Sequence, residues 1–140
     1  MIRKYESHDF QELFDLLHDV YQTNIDKETL ENNYINDFKS ILVAVDDETG
    51  KLLGCTFIEE LKDLIRPNKI LYVTYVAVDE RFRHQGIGKK LMHEVEKKCR
   101  ELGCSAIELT SANYRKNAHL FYEALGFTKK KTTLFIKEID

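Results

Sequence analysis

The segment Arg83-His84-Gln85-Gly86-Ile87-Gly88-Lys89 joins an apolar run, Val76-Ala77-Val78, to a long amphipathic stretch that begins at once. Glycines in the first turn of a helix leave several backbone N–H groups without partners, and the helix dipole adds positive potential beside them. That arrangement suits a phosphate-bearing ligand. A P-loop would need four residues between its glycines and a hydroxyl after Gly-Lys, which Lys89-Lys90 does not supply. A dinucleotide fingerprint would need a third glycine or alanine where Leu91 stands, and it usually follows a first strand. Taken alone, the glycines also fit a tight strand-to-helix turn that binds nothing.

Several elements must position this turn. Ile2 to Tyr5 reads as a short strand, followed by a helix that Ser7 or Asp9 could cap, with Phe10, Leu13, Phe14, Leu17 and Tyr21 on one face. A second helix is expected over Lys27 to Phe38. Ile41 to Val45 is a buried strand, Asp46 to Gly50 a hairpin turn, and Lys51 to Leu61 the returning strand. Lys62 to Lys69, which holds the single proline (Pro67), reads as a loop. Ile70 to Val78 is apolar at both parities and so belongs in the middle of a sheet. A helix from Gly86 to Leu102 stops at Gly103, Ser105 to Thr110 is a strand, Arg115 to Leu125 a helix, and Phe127 to Ile139 one or two closing strands. The expected fold class is therefore α/β (α+β), a mixed sheet with helices on both faces in the order βααβββαβαββ.

The 140 residues, 43% of them hydrophobic, suit one domain over 1–140 with a real core. A net charge of −3 with both signs interspersed argues against a nucleic-acid partner, and Lys129-Lys130-Lys131 reads as a solvated turn. No apolar run approaches the roughly 20 residues needed to span a bilayer, and the N-terminus lacks the apolar stretch of a signal peptide. The three cysteines, Cys55, Cys99 and Cys104, show no metal-type spacing and read as reduced core residues. The expected location is the cytoplasm, with no membrane partner and no metal.

Arg83-His84-Gln85-Gly86-Ile87-Gly88 resembles the Arg/Gln-x-x-Gly-x-Gly/Ala motif of the GNAT superfamily of acyl-CoA-dependent N-acetyltransferases. Downstream, Ala118-His119-Leu120-Phe121-Tyr122-Glu123-Ala124-Leu125-Gly126-Phe127 looks like that family's Ala-x-x-Phe-Tyr-x-x-x-Gly-Phe segment. Two motifs in this order, with the expected strand between them, are far more specific than either alone. The resemblance covers about Ile41 to Phe127; the N-terminal helices match only by their order.

The resemblance implies acetyl-CoA as co-substrate, held by Val76, Ala77, Val78, Arg83, His84, Gln85, Gly86, Ile87, Gly88, Lys89 and Asn117. In the family the central strand splays from its neighbour near the position of Val78, freeing backbone groups for the pantetheine arm. The Val78 N–H would then face the thioester oxygen. Tyr122 matches the position that often protonates the departing thiolate, a role a phenol with pKa near 10 can fill. It also lies on a helical face with Ala118, Phe121 and Leu125, where an aromatic ring can simply be core. Many relatives carry a glutamate four residues before the Val78 position, where this chain has Thr74. Glu59 and Glu60 on the adjacent strand are the alternative bases, and strand alternation lets only one of them face the site. Arg115 stands where many members have asparagine. Together with Thr110-Ser111 and Ala118-His119-x-Phe121-Tyr122 it resembles the branch that includes aminoalkylphosphonate N-acetyltransferases. Arg115 could bind an anionic substrate group, bind the 3′-phosphate of coenzyme A, or be solvated. His119 reads as a packed or surface residue.

The expected function is acetyl-CoA-dependent N-acetylation of a small primary amine by direct attack in a ternary complex. The acceptor would lie against the first two helices, the Lys62–Lys69 loop and the central strands. Glu6, Asp9, Glu12, Asp15 and Asp19 make the first helix acidic, which suits a polyamine or aminoglycoside, or else simply marks a solvated face. Two other readings stand beside it, a protein or peptide N-acetyltransferase and a non-catalytic acyl-CoA-binding module. Family members often form dimers, which raises a homodimer, but no residue here fixes an interface.

Overall fold

The structure is a computed structural model that describes residues 1–35, 40–65 and 68–140. It divides into two compact units, Met1–Thr110 and Ser111–Asp140. In the first, β1 (Ile2–Lys4) leads through a 3-10 turn at Ser7–Asp9 into α1 (Phe10–Tyr21). α2 (Lys27–Thr29) continues as a π-wound turn over Leu30–Ile35. Then follow β2 (Ser40–Val45), β3 (Leu52–Asp63), β4 (Asn68–Val78), a 3-10 turn at Glu80–Phe82, α3 (Ile87–Glu101) and β5 (Cys104–Glu108). The second unit contains α4 (Lys116–Ala124).

The sheet order is β1-β2-β3-β4-β5, antiparallel except for the β4–β5 pair. The hairpins of the first half need only short turns, whereas the parallel pair needs the α3 crossover. Alternation along the strands sorts the core into two layers. Leu13, Leu16 and Leu17 of α1 and Leu30 of the π-wound turn pack on Ile41, Val43, Cys55, Phe57 and Ala77. The opposite face meets α3. A Cβ placed on Gly54 would lie 2.9 Å from the Ala77 carbonyl oxygen, 3.2 Å from Ile87 Cγ2 and 3.3 Å from Leu91 Cδ1. Gly54 thus lets α3 approach the strands closely.

The N-terminus is tied down by Asp9, which is 2% exposed. Its carboxylate accepts from Arg3 Nη1 and Nη2 at 2.7 and 2.8 Å and from the Glu6 N–H at 2.8 Å. Burial pushes this carboxyl up, but the Arg3 bonds, the Glu6 N–H and the Arg3 charge outweigh it, leaving Asp9 below its ordinary value.

The expected fold class and the order through α4 match what is observed, with two differences of extent. β3 and β4 continue through the expected Lys62–Lys69 loop, where Lys62 pairs with Lys69 and Asp63 with Asn68. Leu64 and Ile65 form a turn directly after β3. The expected C-terminal part of the second helix, with Phe38, and Pro67 lie outside the described residues. Finally, Phe127–Ile139, expected as closing strands, carries no regular element, and Leu134 and Phe135 are 81% and 90% exposed. α4 offers this segment no strand edge within its own unit. Among the described residues no helix is long and apolar enough to cross a membrane, and no group of three or more His, Cys, Asp or Glu side chains could hold a metal ion.

Candidate active site

The centre of the site is the last turn of β4. β5 pairs with β4 only from Lys69 to Tyr72, so the remainder of that edge has no strand neighbour among the described residues. Phe57 pairs with Tyr75 but Ile58 with Val73, which makes Thr74 the inserted residue of a β-bulge. The Thr74 hydroxyl donates to the Phe57 carbonyl at 3.2 Å, and that of the buried Thr56 to the Tyr75 carbonyl at 2.9 Å. Both bonds lock the bulge. The Asp79 N–H donates to the Leu53 carbonyl at 2.8 Å. Backbone alternation then turns the N–H and C=O groups of Val78 and Val76 toward the open edge.

Side chains already meet two of these residues. The Tyr21 hydroxyl, at the end of α1, donates to the Val76 carbonyl at 2.7 Å and accepts from the Val76 N–H at 3.2 Å. Arg83 Nε donates to the Val78 carbonyl at 3.3 Å. The Arg83 bond joins the strand end to the glycine turn, so the two parts of the first motif are brought together. Tyr21 was expected only as part of an apolar helical face; nothing local in the sequence signals its reach to Val76.

The turn itself is shaped by two residues in the left-handed region, His84 at φ 63° and Gly86 at φ 79°. Such a conformation is uncommon for a residue with a side chain. Lys90 N–H makes the first helical bond, to the Gly86 carbonyl at 3.0 Å. The amides of Ile87, Gly88 and Lys89 therefore have no partner within α3. Arg83, His84, Gln85 and Lys89 are exposed, while Ile87 is buried and anchors the turn. Asp79, the one carboxylate between Val78 and Glu80, is occupied: it accepts from Arg81 Nε and Nη2 at 3.1 and 2.8 Å. Those bonds, stronger than its slight desolvation, keep its carboxyl below the ordinary range.

Beside this edge, α1, the α2 segment and the β3–β4 face line a half-open cavity of about 150 Å³. Phe14, Leu17 and Tyr21 line it from α1, Leu30 and Tyr34 from the α2 segment, and Phe57 and Tyr75 from the sheet. The Tyr75 ring meets Tyr21 and Phe57 edge-on, with centroids 5.4 and 5.6 Å apart. Burial pushes the Tyr75 phenol up. Glu59 shares the parity of Phe57 and pairs in register with Tyr72, so it lies on the cavity face. Glu60 has the opposite parity and forms an ion pair with Lys69 at 3.4 Å. Both glutamates are exposed.

In the second unit, Tyr122 sits on α4 with Phe121 and Phe127 edge-on to its ring at 5.2 and 5.7 Å. The Phe127 N–H donates to the Tyr122 carbonyl at 3.0 Å. Burial pushes the Tyr122 phenol above its ordinary value, and Arg115 pulls it partly back. Asn117 is exposed on the first turn of α4, after Arg115 at its N-cap. The His119 ring nitrogen Nε2 lies 2.9 Å from the Ala112 carbonyl, which ties the helix to its preceding loop.

Comparison with known proteins agrees with this reading of the residues. The model of the acetyltransferase (GNAT) family matches residues 6–127. A D-amino-acid N-acetyltransferase, HPA3, of Saccharomyces cerevisiae is 31% identical over 64% of this chain and 55% of its own length. Glucosamine 6-phosphate N-acetyltransferase of Arabidopsis thaliana is 31% identical over 64% of this chain and 60% of its own. The chain spans about half the length of the curated relatives it matches. The crystal structure of the Arabidopsis thaliana enzyme superposes with a TM-score of 0.81 at 26% identity, covering 100% of this chain and 98% of that one. A ribosomal-protein-alanine N-acetyltransferase from Brucella melitensis shares the fold, with a TM-score of 0.85 over 99% of both chains at 20% identity. A family match over most of the chain, the glycine turn and the parted strand edge lead to one conclusion: the chain belongs to the GNAT family.

Proposed function

We propose that residues 1–140 work as one cytoplasmic domain, an acetyl-CoA-dependent N-acetyltransferase acting on a small primary amine. The observation that carries this reading is the Arg83–Val78 bond, which sets the unpaired amides of the glycine turn beside the open edge of β4. These residues fit the coenzyme. The turn offers backbone donors and the cations Arg83, Lys89 and Lys90 with no free carboxylate among them, and nothing lies within 4 Å of a Cβ built on Gly86. Acetyl-CoA, when bound, supplies the acetyl group as an activated thioester.

The chain's own residues would then divide the work. The amides from Gln85 to Lys89 would hold pyrophosphate, with Asn117 a further contact, and the backbone of Val76 would hold the pantetheine arm. The Val78 N–H would donate to the thioester carbonyl oxygen, stabilising charge as it develops there. Tyr122 would protonate the leaving thiolate. Its raised pKa keeps it protonated at neutral pH, the state a donor needs. Glu59, on the cavity face, would take the amine proton directly or through water, whereas Glu60 is held by Lys69. Direct transfer to the amine is favoured over a cysteine relay. Cys55 is fully buried, with its thiol pushed up to about 12 by burial, and Cys99 donates to the Cys104 carbonyl at the far end of α3.

Thiol release measured over a panel of primary amines tests the proposal, with Tyr122→Phe as its internal control. Turnover by the parent should fall at least about tenfold in kcat in the variant, with acetyl-CoA affinity within about twofold. No turnover on any amine, with acetyl-CoA demonstrably bound, would instead favour a non-catalytic acyl-CoA-binding module.

A further inference from the structure

Resting on that proposed reaction, we infer that the acceptor carries an aromatic or branched aliphatic group of about benzene size, and that this group fills the cavity between α1, α2 and the β3–β4 face. The walls are apolar or aromatic, with Phe14, Leu17, Leu30 and Phe57 among them. Among the described residues, polar side-chain atoms come from Thr23 and the tips of three tyrosines, and none of those lining the space is charged. A volume of about 150 Å³ matches a benzene-sized guest, and apolar walls favour such a group over a hydrated one. The edge-on rings of Tyr21, Tyr75 and Phe57 offer an aromatic guest the same geometry they use with one another.

Three of the acidic residues in and before α1, the group that suggests a polycationic acceptor, are engaged elsewhere. Glu12 accepts from the Leu52 N–H at 2.8 Å, Asp15 from Gln11 at 3.0 Å, and Asp9 from Arg3. The side chain approaching the rim is a cation: Lys27 Nζ lies 5.6 Å from the centre of the Phe14 ring and donates to Gln11. A second ammonium placed in this space would lose its water and gain no opposite charge from the described lining, and a sugar phosphate would meet only the rim ammonium of Lys27, which already donates to Gln11. Tyr21 marks how close the cavity lies to the β4 edge. Its ring lines the cavity and, in the free protein, its hydroxyl reaches Val76, so a guest held by its apolar group presents a short amine arm toward that edge.

The test uses the full chain with acetyl-CoA. Under this inference kcat/KM for 2-phenylethylamine and 3-methylbutylamine exceeds that for ethylamine, spermidine and glucosamine 6-phosphate by about tenfold or more. Thr23→Phe, which places a ring in the cavity, lowers the ratio of 2-phenylethylamine to ethylamine turnover by about tenfold; Ile25→Phe serves if that variant does not fold. Preference for spermidine or the sugar phosphate, or an unchanged ratio in the filled variants, overturns it. Saturation-transfer NMR reads the cavity without turnover. Transfer to the phenyl protons of 2-phenylethylamine that is lost on filling supports the inference even if no amine reacts, an outcome that would sink only the proposed reaction. No transfer in the parent overturns it.

Discussion

Replacing Tyr21 by Phe isolates the two bonds that its hydroxyl makes to Val76, 2.7 Å to the carbonyl and 3.2 Å from the N–H. The ring stays against Tyr75. A neutral intramolecular hydrogen bond is worth about 1 kcal/mol net. The second bond is long and Tyr21 is 38% exposed, so the pair together is worth about 1 kcal/mol rather than twice that. The free protein should lose this amount, lowering Tm by roughly 2–8 °C. Coenzyme binding should respond in the opposite direction. If the pantetheine arm takes the Val76 backbone groups, the Tyr21 hydroxyl must leave first, and removing it lifts that cost. Affinity for acetyl-CoA should then rise by about fivefold, the equivalent of about 1 kcal/mol. Calorimetric titration of parent and variant, with thermal melts of both, measures the two shifts together. A lower Tm with unchanged or weaker coenzyme affinity would refute the assignment of Val76 to the arm.

Two further perturbations probe the scaffold. Asp9 sits below its ordinary pKa in the folded state, so the stability it adds is complete above the unfolded value of about 3.9 and is lost as pH falls through the folded value. Asp9→Asn should cost about 2 kcal/mol at pH 7, because Arg3 keeps some access to water, and should flatten the acid limb of Tm against pH; an equally steep limb would contradict this. Gly54→Ala puts a Cβ 2.9 Å from a backbone carbonyl that cannot move aside cheaply. Urea unfolding should show a loss of about 1–3 kcal/mol, and parent-like stability would mean that α3 and the strands have room to spare.

The parts of the molecule legible in the sequence were those encoded locally. Arg83, Gly86 and Gly88 sit at fixed short spacings, and the i, i+4 pattern of Ile87, Leu91 and Val95 defines the buried face of α3. Features set by pairing between distant segments were not legible. The bulge at Thr74 exists only in the register of β3 against β4, so a departure from the family's usual glutamate gave no hint that this residue is inserted in the strand. Lys62, Asp63 and Lys69 are polar and looked like a loop, yet they extend a hairpin whose end faces water. Tyr21 and the cavity depend on how α1 lies across β4, which no periodicity reports. Parity did carry over: alternation predicts that one of Glu59 and Glu60 lies on the cavity side, and the register identifies it as Glu59.

Calorimetric titration of the purified protein with acetyl-CoA, and separately with ATP and NAD, bears most directly on the central claim. Selective binding of acetyl-CoA, weakened at least about tenfold by Gly86→Asp through charge repulsion at the start of α3, is the predicted result. Binding of ATP or NAD in place of acetyl-CoA, or an unaffected Gly86→Asp variant, would contradict the reading of the glycine turn as the coenzyme site.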